Sequence, residues 1–93
     1  TIIIPGTCKI IGEKAFANNQ TLEKVIIQEG VEIIEDSAFK ECRNLTAVEM
    51  SDSVTKLGNY SFYFDQKLNN INLAKGLRNI GSWQSFTMLA SQL

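Results

Sequence analysis

The chain has 93 residues, 44% of them hydrophobic and 20% charged, with a formal net charge of −1, the composition of an ordinary soluble unit rather than a disordered one. Its lysines and arginines are scattered, so it offers no electrostatic footprint for nucleic acid or an anionic membrane surface, and it has no histidine, which removes the commonest metal ligand and the commonest general base. The longest apolar runs, Ile2–Ile4 and Val25–Ile27, fall far short of the roughly 18 residues that span a bilayer.

Taken in chain order, the sequence repeats itself. TIIIPGT opens the chain, and CKIIGEKAFANN follows from Cys8. TLEKVIIQEG from Thr21 precedes VEIIEDSAFKEC from Val31, NLTAVEMSDS from Asn44 precedes VTKLGNYSFYFD from Val54, and KLNNINLAKG from Lys67 precedes LRNIGSWQSFTM from Leu77. Successive copies start 23 residues apart throughout. Written under one another they give apolar columns: Ile2, Val25, Val48 and Ile71; Ile4, Ile27, Met50 and Leu73; Leu22, Leu45 and Leu68; Ile11, Ile34, Leu57 and Ile80; and Phe16, Phe39 and Phe62. A fixed period of this length is the signature of a solenoid.

Within one copy, Val25 and Ile27 alternate with Ile26, the period of a short strand. Gly30 and its equivalents Ser53 and Gly76 let the chain turn. Val31 and Ile34 then face inward on the return path. Ser37 to Lys40 suit a single helical or 3₁₀ turn with Asp36 or Ser37 as its cap. One circuit buries too few side chains to offset the entropy of ordering its backbone. Stacking at about 4.8 Å lets the strands pair as a parallel ladder and the columns bury one another. The expectation is one domain over residues 1–93, with coils at about 1–20, 21–43, 44–66 and 67–93, forming a fragment of a longer array.

With the columns in place, the pattern resembles the BspA-like (treponemal-type) leucine-rich repeat, roughly L-x-x-I-x-I-P-x-x-V-x-x-I-G-x-x-A-F-x-x-C. Leu22, Val25, Ile27, Val31, Ile34, Ala38, Phe39 and Cys42 match in one copy, and Ile4, Pro5, Ile11, Gly12, Ala15 and Phe16 in another. The chain departs from it where Gln28, Ser51 and Ala74 replace the proline, where Asn19, Asp65 and Met88 replace the cysteine, and where Gln84 and Ser85 stand in place of Ala-Phe. The resemblance implies a leucine-rich-repeat solenoid of the horseshoe type, rich in strands and turns. It also implies a secreted or cell-surface protein, and adhesion to a host matrix protein or to other cells.

Candidate chemistry is sparse. Cys8 shares the column of Val31, Val54 and Leu77, which predicts burial as a small hydrophobe. Cys42 lies about one and a half circuits further on, in the turn region, too far round the coil for a disulfide with Cys8. Glu29, Glu32, Glu35 and Asp36 lack the pattern of a calcium loop and read as a solvated rim. They fare no better as paired acids for glycoside hydrolysis, because the neighbouring coils carry Gly58, Asn59, Gly81 and Ser82 there. The sequons at Asn19, Asn44 and Asn59 coincide with turn columns that favour Asn for conformational reasons. Neither a metal nor a cofactor is expected, and nor is an enzyme.

Two surfaces stand out. On the strand, the outward positions Lys24, Ile26 and Gln28, Ala47, Glu49 and Ser51, and Asn70 and Asn72 change from coil to coil while the inward ones do not, as in a ligand face. The second is an aromatic patch, in which Tyr60 and Trp83, and Tyr63 and Phe86, are one period apart, with Phe64 beside them, on columns occupied earlier by Lys14, Ser37, Ala17 and Lys40. Outward-facing aromatics can mark recognition; covering the last coil is the alternative. The functional expectation is a non-enzymatic interaction module that binds a protein or glycan through its strand face, without nucleic acid and without membrane insertion. The alternative is a structural spacer in a larger surface protein.

Overall fold

The computed structural model describes residues 1–81. Within them the chain winds as a parallel β-solenoid whose successive coils contribute one strand to each of two four-stranded sheets. The first sheet has the order β1 (Ile2–Ile4), β3 (Lys24–Ile27), β5 (Ala47–Met50), β7 (Asn70–Asn72). The second has β2 (Ile10–Ile11), β4 (Ile33–Ile34), β6 (Lys56–Leu57), β8 (Asn79–Ile80). Every pairing is parallel and in the repeat register, Ile2 on Val25, Val25 on Val48 and Val48 on Ile71 in one sheet, Ile11 on Ile34 and Leu57 on Ile80 in the other.

The alternation of side chains on a strand sets what is inside. Val25, Ile27, Val48 and Met50 are buried, whereas Lys24, Ile26, Ala47 and Glu49 between them face outward. Ile34 and Leu57 close the core from the second sheet, and Leu22, Leu45 and Leu68 close it from the connecting segment. Phe39 is fully buried, its ring 5.2 Å from that of Phe16 and 5.3 Å from that of Phe62, each pair within 5° of parallel. The predicted phenylalanine spine therefore exists, with rings stacked along the solenoid axis at a separation close to the spacing of the strands.

The turn after the first sheet is made by Gly30, at φ 114°, a conformation that side chains resist. A Cβ there would lie 2.5 Å from the carbonyl oxygen of Gly6. The glycine is thus demanded by both the local backbone and the coil above.

The Ala-Phe element is where the structure corrects the sequence reading: it contains no helical or 3₁₀ turn. Ala15, Ala17 and Asn19 donate backwards to the carbonyls of Gly12, Lys14 and Phe16. The alternate residues Lys14, Phe16 and Asn18 instead donate across to Asp36, Ala38 and Lys40 of the next coil, at 3.1, 2.8 and 2.8 Å. The pattern recurs one coil later, where Ser37, Phe39 and Glu41 donate to Asn59, Ser61 and Tyr63. Two positions per coil take positive φ to aim these groups: Lys14, Ser37 and Tyr60 at 58–59°, and Asn18, Glu41 and Phe64 at 57–62°. A helix would turn every N–H along its own axis; here half of them are needed to join coils. The expected cap is corrected likewise, since Asp36 accepts through Oδ1 from the backbone N–H of Asn59, 23 residues on, at 2.8 Å.

Candidate functional site

The outward face of the first sheet is held in place because β3 and β5 are pinned on both sides by ladder bonds and below by the core, while β7 pairs with β5 on one side. Its outward columns run Ile3, Ile26, Glu49, Asn72 and Lys24, Ala47, Asn70 across neighbouring strands. Lys24 reaches diagonally to Glu49, Nζ to Oε2 at 2.9 Å, with both side chains about half exposed. Ala47, standing between Lys24 and Asn70, has too short a side chain to fill its place. The result is a groove of about 160 Å³ lined by Lys24, Ala47, Val48, Glu49, Asn70 and Asn72. Five of these six residues belong to the outward strand positions singled out in the sequence; Val48 contributes from beneath. Ile26, Gln28 and Ser51 lie outside the groove. Ser51 is held by a bond from its hydroxyl to the Gln28 carbonyl at 3.1 Å. A wider hollow, about 450 Å³, lies over the second sheet between Asp36, Lys56 and Asn79 and reaches Gly81, the last described residue.

The aromatic patch is present in part. Tyr60 and Tyr63 meet edge to face at 5.2 Å, and Tyr63 and Phe64 lie tilted at 4.3 Å. Tyr60 and Phe64 are exposed. Trp83 and Phe86 lie outside the described residues. The column of Tyr60 is outside in the first coil, where Lys14 is exposed, but not in the second, where Ser37 is buried between its neighbours.

Both cysteines are free. Cys42 is fully buried in the turn region and donates from Sγ to the carbonyl of Phe16 at 3.1 Å. Burial, with the Asp65 carboxyl beside it, pushes its thiol up to about 12, so no thiolate nucleophile forms there. Cys8 is only half-buried, packed against the edge of the core, since its copy is the first in the stack. Glu29, Glu32 and Asp36 are exposed and Glu35 half-exposed, as a solvated rim requires. Among the described residues no group of three or more His, Cys, Asp and Glu is placed to hold a metal ion, and no helix is long and apolar enough to cross a membrane.

The sequon asparagines carry structural bonds. Asn19 Oδ1 accepts from the N–H and hydroxyl of Thr21 and from the N–H of Leu22, at 3.0–3.1 Å. Asn44 donates to the Gln20 carbonyl and accepts from Lys67 Nζ at 3.1 Å.

Sequence reasoning missed Asp65 as a structural group. Its side chain is buried, and Oδ1 accepts the Cys42 N–H at 2.7 Å, while Oδ2 has no partner among the described residues. Burial pushes its carboxyl up to about 8, against the pull of that N–H, so the group is largely protonated at neutral pH. The signal was in the alignment of copies, where Asp65 falls in the column of Asn19 and Cys42.

Comparison with known proteins agrees with this geometry. The crystal structure of the pneumococcal vaccine antigen PcpA is similar over 88% of this chain and 26% of its own, with a TM-score of 0.74 and 23% identity. This chain thus spans about a quarter of that chain's length, and the likeness is one of fold. No curated protein matches the chain. Residues 1–89 match the family described as "BspA type leucine rich repeat region (6 copies)". With the in-register columns, the two parallel ladders and a match over nearly its whole length, the chain belongs to the BspA-type leucine-rich repeat family.

Proposed function

We propose that this chain is a non-enzymatic interaction module of a secreted or cell-surface protein, adhering to a protein or glycan ligand through the face of its first sheet. One observation carries the reading: inward strand positions hold Val25, Ile27, Val48 and Met50, while the outward ones change from Lys24 and Ile26 to Ala47 and Glu49 and then to Asn70 and Asn72. An unchanging interior under a varied, rigid surface is how repeat scaffolds present ligands. Membership of the BspA-type repeat family and a fold shared with a vaccine antigen are in keeping with a place at the cell surface.

The test is binding of the protein that carries this chain to immobilised matrix proteins, before and after joint replacement of Lys24, Glu49 and Asn72 by Ala. These side chains are exposed or half-exposed, so the fold should survive. A drop in binding of about tenfold or more, equivalent to ~1.4 kcal/mol, is the expected result. Binding unchanged by the triple replacement would make the chain a spacer and move adhesion elsewhere.

A further inference from the structure

We infer that the groove over Ala47 is a subsite for one neutral sugar ring of a glycan lying along the first sheet. The inference rests on the strand face being the ligand face, and adds the class of ligand. Three features of the groove select it.

The first is size. Pockets for drug-sized ligands run to roughly 300–1,000 Å³, whereas this groove holds about 160 Å³, room for a single ring or side chain of a larger ligand.

The second is charge. Lys24 and Glu49 face each other at 2.9 Å, and an ion brought to one of them meets the like charge of the other a few ångström behind it. The second offsets a large part of the first. An acidic or basic ligand therefore gains little, and a neutral one loses nothing.

The third is the set of hydrogen-bonding groups. Lys24 only donates, Glu49 only accepts, and the amides of Asn70 and Asn72 do both. A ligand that satisfies all four needs several groups on a small frame, each able to donate and accept, which is what ring hydroxyls supply. A peptide segment is the weaker match, because the Trp, Tyr and Arg anchors that dominate protein interfaces are missing from the lining. The outward apolar pair Ile3 and Ile26 lies on β1 and β3 and stops one strand short of Ala47 on β5.

The experiment is titration of the isotopically labelled chain with methyl glycosides of glucose, galactose and mannose, following the side-chain amides of Asn70 and Asn72 and the backbone amide of Ala47 by NMR. At least one glycoside should give saturable shifts at these three positions in the millimolar range. Ala47→Leu, which fills the groove, should weaken that binding by at least about tenfold. Asn70→Ala, exposed and outside the core, should do the same, which keeps the test informative if the leucine variant unfolds. Absence of saturable shifts for all three glycosides would overturn the inference. So would shifts indifferent to both substitutions, or equal shifts from an N-acetylated Asn-Gly peptide. If the sugars fail while matrix binding is lost in the triple replacement, this inference falls and the strand-face reading stands. If the sugars bind while matrix binding ignores the triple replacement, the first sheet keeps its glycan site and its role in adhesion to matrix proteins falls.

Discussion

The junction between the first two coils and the junction between the second and third share one set of apolar columns and one ladder, yet they are fastened differently. Across the first, Gln20 reaches the Glu41 carbonyl and Cys42 the Phe16 carbonyl, and Asn44 at the start of the third coil reaches back to Gln20. Across the second, Thr46, Ser51, Ser53 and Thr55 reach back to the carbonyls of Glu23, Gln28, Val31 and Glu32, at 2.7–3.3 Å. Asp36 and Asp65 each take a backbone N–H across the same boundary, and Ser53 also accepts from the N–H of Gly30 at 3.0 Å. The residues of the second coil at the positions of those four hydroxyls are Glu23, Gln28, Gly30 and Glu32, which are charged, long or lacking a side chain. Apolar columns therefore set the register of both junctions, while short hydroxyl side chains clamp only one.

The largest effect should come from breaking what the junctions share. Phe39→Ala removes the ring between Phe16 and Phe62 and leaves a cavity facing both coils. A loss of about 3–5 kcal/mol is expected in a denaturant melt, with hydrogen-exchange protection falling on both sides of the second coil. Protection lost on one side only would show that the spine is not continuous.

Next comes pH, which acts on the clamped junction. The Asp65 carboxyl titrates at about 8 in the folded chain and near 3.9 when unfolded. Between those values the folded state keeps a proton that the unfolded state has released. The contribution of Asp65 to stability is therefore fully present below pH 4, is lost as pH rises toward 8, and levels off above. Asp65→Asn keeps an oxygen for the Cys42 N–H without the charge. It should flatten that slope and raise the midpoint of thermal unfolding at pH 8. A slope of the same size in the variant would remove Asp65 as its source.

Ser53→Ala sharpens the comparison further. Its hydroxyl serves the Gly30 N–H, the Val31 carbonyl and the Ser51 hydroxyl, so its loss should cost about 1–2 kcal/mol and bring exchange in the third coil closer to that in the first. The smallest effect is of opposite sign. Lys14 holds φ 58°, and its side chain is exposed, so Lys14→Gly should relieve backbone strain by about 0.5–1 kcal/mol. A destabilisation of that size instead would mean that the lysine stem packs on the turn.

The comparison also marks where reading residues stops working. The columns Val25, Val48, Ile71 and Phe16, Phe39, Phe62 were legible because burial restricts side chains to one chemistry at every repeat. The groove was legible only as a varied strand face; that Ala47 opens a hollow between Lys24 and Asn70 depends on which strands adjoin. The turn at Ala38 and Phe39 was misread because its local sequence suits a helical turn equally well. Asp65 was passed over because a lone aspartate in an irregular segment is usually solvated.

By itself the sequence determined the period, the inward columns and hence a stack of coils in one register, since no other arrangement lets side chains 23 residues apart bury one another. Only the tertiary structure decided where the backbone donors of the turn point, which hydroxyls bridge coils, and that one carboxyl is shut away from water. Those depend on the coil next door, whose carbonyls compete with local partners for the same N–H groups, and no window of sequence shorter than the repeat contains that competition.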